Sequence, residues 1–335
     1  MSMLQVRKRA SNMELLRLVA MFFVLVAHAD YISLGTPTWL DIELNPVEGG
    51  GKVLIESIAI ISVNLFILIS GYFSVKLKVS SVLNFLYQCL FYSVGIYVVV
   101  CLLGGQDFEF KHLVQSLFCV TLSGLWFVKA YLGLLLFSPV LNAFIQKVDE
   151  KELRMFILMF TLFQSYFEFW GLNAEFQRGY SFVSFLNLYC IGRYIYLYRP
   201  RIFSLPKHRD LVVWLFFVSL IVLNALCNYK IPFISAFSYN NPLVIIASIY
   251  FFLFFSKISL DSTLINRLAL SAFSVYLIHS NAYIIHYFKA VNLYLYDKSV
   301  LLVLLFLVLL FFSSIIVDQV RLYSFHWLKR RMTKG

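Results

Sequence analysis

Long uninterrupted apolar runs dominate this sequence and restrict it to a membrane fold. The clearest run, LLVLLFLVLLFFSSIIV at residues 301–317, contains no charged residue and no alternation of apolar and polar positions. Of all 335 residues, 61% are hydrophobic and only 13% are charged, whereas soluble domains average about 25% charged residues. A spanning helix needs about 20 mostly apolar residues, and a barrel strand needs about 10 alternating ones. The sequence therefore predicts an all-α polytopic membrane protein.

Helix-length apolar windows predict a bundle of about ten transmembrane helices. They lie near residues 14–34, 54–74, 82–103, 124–145, 154–172, 180–198, 211–229, 241–257, 268–288 and 299–322. Turn-forming residues separate them, including Thr36-Pro37, the glycine run at 49–51, Gly104-Gly105 and Asn241-Pro242. Because no window resembles a soluble module, residues 1–335 are interpreted as one transmembrane domain without a separate soluble domain.

The distribution of lysine and arginine predicts that both termini lie in the cytoplasm. With the N-terminus inside, roughly 18 of the 28 basic residues fall on the cytoplasmic side and about 6 fall outside, as the positive-inside rule requires. The net charge of +11 then reflects orientation and contact with anionic membrane lipid. A nucleic-acid partner is not expected.

The first helix imitates a signal peptide but is predicted to remain in the protein. A basic start, an apolar stretch and Ala27-His28-Ala29 follow the pattern of a cleavage site. However, Glu14 and Arg17 interrupt the apolar stretch, which is also nearly long enough to span a bilayer. We therefore expect His28 to stay in the mature chain.

Three polar residues of the first helix form the main candidate site. Eleven residues separate Arg17 from His28, so both side chains share one helix face, about 16 Å apart along the axis. Glu14 lies three residues before Arg17 and can pair with it. One interpretation is structural, with an interfacial ion pair and a histidine satisfied by a neighbouring helix. The other is catalytic, because a free imidazole has a pKa of about 6.5 and transfers protons near neutral pH.

Other polar residues in the predicted helices have simpler interpretations. Arg193, Asp318 and Arg321 lie near span ends, where long side chains reach the membrane surface, and the last two are spaced for an ion pair. His279 lies near mid-depth and can hydrogen-bond between helices. The aromatic residues typical of membrane interfaces are Trp126, Trp170 and Tyr180. No metal-ligand spacing and no nucleotide-binding motif is present, so neither a metal site nor ATP-driven transport is expected.

Four motifs, in order, resemble the membrane-bound acyltransferase-3 family over about the whole chain. The first is Asn12-Met-Glu-Leu-Leu-Arg17 with His28 after ten intervening residues. The others are Ser62-Val-Asn-Leu-Phe-Ile-Leu-Ile-Ser-Gly-Tyr72, Leu125-Trp-Phe-Val-Lys-Ala-Tyr131 with Ser138-Pro139, and Ser271-Ala-Phe-Ser-Val-Tyr-Leu-Ile-His279.

This resemblance implies an O-acyltransferase, usually an O-acetyltransferase, of the bacterial cytoplasmic (inner) membrane. The donor would be cytoplasmic acetyl-CoA, and the acceptor a hydroxyl of a surface polysaccharide or its lipid-linked precursor. Two departures stand out. Asn64 replaces an acidic residue of many members, and Lys76 and Lys78 replace loop arginines, although lysine lacks the bidentate fork of arginine.

The candidate site residues follow from the chemistry of acyl transfer. His28 is predicted to be the general base, with Arg17 holding the donor and Glu14 holding Arg17. Tyr276 and Ser70 are candidate hydroxyl donors to the developing oxyanion. The remaining assignments are Arg17, Lys76, Lys78 and Arg193 to coenzyme A, and Lys129, Trp126 and His279 to the acceptor.

Other classes of function stay open. In a non-enzymatic transporter or flippase of lipid-linked glycan, the charged residues within the predicted helices would line the path of the glycan across the membrane. A polysaccharide polymerase would need a large outer loop, and the longest one here, roughly 35–53, is modest. Direct transfer and an acyl-enzyme are both possible, as are other acyl groups such as succinyl, and the chain can form a homo-oligomer.

Overall fold

The computed structural model describes residues 9–122, 124–169, 176–229 and 235–332. These ranges are helical with short connections and contain no strand, which confirms the all-α fold class. The helices are α1 (Ser11–Ala27), α2 (Trp39–Leu44), α3 (Pro46–Ala59), α4 (Ser62–Phe73), α5 (Val79–Leu102), α6 (Phe110–Leu117), α7 (Cys119–Leu122), α8 (Trp126–Lys147), α9 (Glu150–Phe169), α10 (Phe182–Tyr198), α11 (Lys207–Asn228), α12 (Pro242–Ser256), α13 (Thr263–Leu268), α14 (Ala272–His279), α15 (Ile285–Tyr296) and α16 (Val300–Met332). A π-helical segment, His28–Leu34, continues α1.

Six helical segments within the described ranges are long and apolar enough to cross a membrane. They are Ser11–Leu34, Pro46–Phe73, Val79–Leu102, Trp126–Lys147, Lys207–Asn228 and Val300–Phe325. Each of the other four predicted spans also contains helix, but α10 and α12 have only 17 and 15 residues, and α9 begins with charged residues. The multi-pass character is thus established, while the count of ten and the cytoplasmic termini stay predictions.

Two local predictions are wrong. The glycine run at 49–51 lies inside α3 instead of separating helices, because Pro46 and the Asn45 cap start the helix upstream. A Cβ on Gly49 would come within 2.8 Å of Ile42, so close packing against α2 also requires glycine there. The predicted continuous span 268–288 is broken after His279, where α14 ends well before α15 begins.

The centre of the bundle is α4, which packs against α10, α1 and α12. Its contact with α10 is made backbone to backbone. A Cβ on Gly71 would lie 2.1 Å from the carbonyl oxygen of Tyr189, and one on Gly192 would lie 2.3 Å from that of Leu68. Small residues at such crossings let helices approach without a hydrophobic driving force. The two glycines therefore permit the close packing of α4 against α10.

The prediction that Asp318 and Arg321 reach the membrane surface is also wrong. Both are buried, and the guanidinium contacts the carboxylate through Nε at 2.8 Å and Nη2 at 2.7 Å. The hydroxyl of Tyr92 donates to the same carboxylate at 2.7 Å. The expected i,i+3 ion pair is present, and α5 contacts it through Tyr92. Both charges can be buried because each has its partner inside the bundle.

Candidate active site

The two ends of the first helix carry the charged pair and the histidine, as its periodicity predicts. At the start of α1, Arg17 Nη1 contacts Glu14 Oε2 at 2.6 Å, and Arg9 lies 3.4 Å from the other oxygen of Glu14. At the far end, His28 is the first residue of the π-helical segment, and Ser33 Oγ donates to its carbonyl oxygen at 2.9 Å. Such π-turns are frequent at functional sites.

His28 contacts a second histidine, which belongs to α14. Nε2 of His279 lies 2.9 Å from Nδ1 of His28, and the two ring centroids are 5.0 Å apart. Ser280 Oγ lies 3.2 Å from the same Nδ1. His279 is fully buried, and its own Nδ1 donates to the carbonyl oxygen of Val275 at 2.5 Å. His279 and Ser280, at the end of α14, thus both contact Nδ1 of His28.

These contacts determine where the protons lie when both rings are neutral. A carbonyl oxygen only accepts, so the proton of His279 is on Nδ1 and its Nε2 carries the lone pair. That lone pair accepts the proton of His28 Nδ1, which leaves the lone pair of His28 on Nε2. Neutral His28 can therefore act as a base through Nε2, while His279 fixes the tautomer and the orientation of the ring.

A small, partly open cavity adjoins His28. Helices α1, α4, α8 and α14, together with the segment before α12, contribute its walls. Six aromatic residues line it, among them Trp126, Tyr239 and Tyr276, and the Tyr276 ring lies 6.3 Å from that of His28. Trp126 therefore faces the cavity, whereas a side chain of the membrane-interface belt would face lipid.

The structure brings His28, His279, Tyr276 and Trp126 together but places the other candidates elsewhere. Ser70 is not part of the cavity lining but lies about one turn along α4 from the lining residue Phe66, and its Oγ donates to the carbonyl oxygen of Phe66 at 2.8 Å. Lys129 is exposed and is not part of the cavity lining. Trp170, a predicted interface aromatic, lies outside the described residues.

The residues predicted to bind coenzyme A lie at the Arg17 end of the bundle. Lys76 and Lys78 are exposed in the connection between α4 and α5. Arg193 of α10 donates to the carbonyl oxygen of Tyr72 at 3.4 Å and lies 4.7 Å above the ring of Tyr196. These cations share one end of α4 and are distant from His28. In the described part of the chain, no group of three or more His, Cys, Asp or Glu residues can hold a metal ion.

Sequence reasoning missed Ser280 and Tyr239. Ser280 could have been suspected from its place beside His279. Tyr239 carries no local signal, because its approach to the cavity depends on the packing of distant segments.

The acyltransferase domain family model matches residues 11–318 of the chain. The chain belongs to the acyltransferase-3 family. The match runs from the start of α1 into α16 and so includes His28, His279 and the whole cavity lining. No curated protein and no solved structure has significant similarity to the chain.

Family membership supports acyltransferase activity and gives the histidine pair a chemical context. An acyl transfer to an alcohol needs a base to remove the proton of the nucleophile. His28 lines the cavity, and no other described residue of the lining has a basic side chain.

Proposed function

We propose that the protein is an O-acetyltransferase that moves an acetyl group from cytoplasmic acetyl-CoA to a hydroxyl of a cell-surface polysaccharide or its lipid-linked precursor. The observation that carries the proposal is the hydrogen-bonded pair of His28 and His279 beside a cavity. A multi-pass protein of the bacterial inner membrane can bind a donor on one side and an acceptor on the other. Membrane lipid surrounds it, and a homo-oligomer is compatible with this arrangement.

In the proposed reaction, His28 Nε2 removes the hydroxyl proton as the oxygen attacks the thioester carbonyl. The new C–O bond forms, the C–S bond breaks, and coenzyme A leaves as a thiolate. The proton held by His28 then passes to the thiolate, so the enzyme returns to its starting state. General-base assistance of this kind contributes about 10²–10⁴-fold to the rate. Direct transfer is the simplest route that uses one base.

Tyr276 is the better of the two candidate donors to the oxyanion. Its ring lines the cavity beside His28. Ser70 already donates to a carbonyl of its own helix, so its hydroxyl would have to break that bond in order to serve. On the acceptor side, the indole of Trp126 offers a flat face to a sugar ring, and Lys129 would contact an acceptor outside the cavity.

The donor is proposed to enter from the end of α1 that carries Arg17. Arg17 would bind the donor, and Glu14 would keep the guanidinium in place through their ion pair. The exposed cations Lys76 and Lys78, with Arg193, would neutralise the phosphates of coenzyme A. The pantetheine arm would then extend toward His28, about 16 Å from Arg17 along the helix.

The test is acetyl transfer in isolated membranes supplied with labelled acetyl-CoA and lipid-linked glycans. We expect His28→Ala to insert normally and to lose about 10²–10⁴-fold in transfer rate. His286→Ala is the matched control, because this exposed histidine of α15 is not part of the cavity lining. Full activity of His28→Ala would contradict the mechanism. Glycan translocation without any dependence on acetyl-CoA would instead support the transporter.

A further inference from the structure

Three aromatic side chains from separate parts of the chain meet at the edge of the cavity. The ring centroid of Trp126 lies 4.4 Å from that of Tyr180 and 5.8 Å from that of Tyr239, and the last two are 5.2 Å apart. Trp126 and Tyr239 line the cavity that adjoins His28. Tyr180 is 40% exposed. The cluster therefore connects the accessible surface with the candidate base.

The backbone of Tyr239 is held from both sides. Its carbonyl oxygen accepts a hydrogen bond from Nδ2 of Asn64 at 3.1 Å, and its N–H donates to the carbonyl oxygen of Arg178 at 3.1 Å. Asn64 belongs to α4 and is fully buried. Because α4 also contributes to the cavity wall, Asn64 links the position of Tyr239 directly to the cavity.

Gly179 permits the close approach of the two connecting segments. Its φ of +90° is a conformation that glycine adopts readily. A Cβ at this position would lie 2.4 Å from the Cβ of Tyr239. The segment that carries Tyr180 can therefore pack directly on Tyr239, which brings the two tyrosine rings together.

Aromatic rings at a partly open cavity are suited to a ligand with both an apolar face and hydroxyl groups. A pyranose ring has such a face of C–H groups, and an aromatic side chain provides a large rigid surface for it at little entropic cost. Tyrosine hydroxyls can at the same time bond to sugar hydroxyls. A ring seated here would bring its hydroxyls toward the cavity in which His28 lies.

We propose that Trp126, Tyr180 and Tyr239 form the subsite for the sugar ring of the acceptor, and that Asn64 is the positioning residue that holds Tyr239 in it. This inference rests on the proposed function and extends it to the recognition of a pyranose. The subsite recognises the ring itself, so a lipid carrier without sugar does not bind there.

The test measures binding in the His28→Ala background, where no product forms. The probes are short polyprenyl-diphosphate disaccharides, with polyprenyl diphosphate as the sugar-free control. Tyr239→Leu and Tyr180→Leu are expected to raise the Kd for the disaccharides about tenfold and to leave the Kd for the sugar-free probe unchanged. Tyr239→Phe, which keeps the ring, should bind the disaccharides more tightly than Tyr239→Leu. Unchanged disaccharide binding by both leucine variants would overturn the subsite.

Asn64→Asp tests the positioning role, because it keeps the shape of the side chain and removes the amide donor. It should weaken disaccharide binding about as much as Tyr239→Leu does, and in an otherwise wild-type enzyme it should raise the acceptor KM while leaving the acetyl-CoA KM unchanged. Asn292→Asp is the matched control, because Asn292 is also fully buried and donates to a backbone carbonyl, that of Phe288. Equal loss of binding in both aspartate variants would assign Asn64 a merely structural role.

A parallel transfer assay separates this inference from the proposed function. If the enzyme with His28 intact transfers no acetyl group but the binding pattern holds, the proposed function fails and the sugar subsite stands. If acetyl is transferred and Tyr239→Leu leaves the acceptor KM unchanged, the subsite fails and the proposed function stands.

Discussion

Replacement of His279 is the most informative perturbation of the candidate site. The residue is proposed to act through His28, so its removal should reduce kcat for acetyl transfer and leave both KM values nearly unchanged. His279→Ala removes the acceptor that lies 2.9 Å from His28 Nδ1. A lost hydrogen bond costs about 0.5–1.5 kcal/mol net, and a buried donor left unpaired costs about 1–3 kcal/mol.

The expected decrease in kcat follows from these energies. A loss of about 1–3 kcal/mol in the orientation of the base corresponds to a decrease of about 5-fold to 150-fold. The lower end applies if Ser280, whose Oγ lies 3.2 Å from the same nitrogen, accepts the proton instead. The decrease should be smaller than that of His28→Ala, because the base itself remains.

His279→Gln distinguishes orientation from packing. The alanine variant also removes a ring that packs 5.2 Å from that of Phe288, so part of its effect could be structural. The glutamine side chain keeps much of the volume and offers an oxygen that accepts from His28 Nδ1. We expect its kcat to be within about fivefold of wild type.

The assay is steady-state acetyl transfer by purified protein with each substrate varied in turn, and thermal stability is measured on the same samples. The reasoning is refuted if stable His279→Ala retains wild-type kcat, or if the glutamine and alanine variants are equally slow at equal stability.

The other predictions concern donor binding and the framework. Arg17→Ala should raise the KM for acetyl-CoA more than the KM for the acceptor, as measured by kinetics with each substrate varied in turn. An unchanged KM for acetyl-CoA would contradict the assignment of Arg17 to the donor. Gly71→Ala should sharply lower the yield of folded protein, because its Cβ would meet the α10 backbone at 2.1 Å, whereas Gly95→Ala has open space and should be tolerated in the same gel-filtration assay. Asp318→Ala should destabilise the protein by about 3–5 kcal/mol, because it leaves the buried guanidinium of Arg321 without its carboxylate partner. Adding Arg321→Met should recover part of that stability in thermal unfolding, and a double variant as unstable as the single one would contradict this prediction.

The fold class could be predicted because the bilayer restricts the possible structures so strongly. Long apolar runs such as 301–317 have few alternatives to a spanning helix, since every backbone polar group must be satisfied within the segment. The ninth predicted span shows the limit of this reasoning. Its apolar composition indicates a continuous helix, but the chain turns after His279, where His279 and Ser280 contact His28.

Local geometry explains which parts of the candidate site could be found in advance. The Glu14–Arg17 pair is set by a spacing of three residues, and the common face of Arg17 and His28 is set by helical periodicity. The partner of His28 could not be found in this way, because His279 lies 251 residues away and meets it only after the helices pack. The same limit applies to Asn64 and Tyr239, which are 175 residues apart.

The sequence by itself determined that this chain is a helical membrane protein, which residues share a face of its first helix, and which motifs resemble an acyltransferase. These properties depend on composition and on periodicities of a few residues. Only the tertiary structure decided which nitrogen of His28 is free to accept a proton and which aromatic rings surround it. Those features depend on contacts between helices far apart in the chain, and hydropathy has no information about the rotation and register at which helices meet.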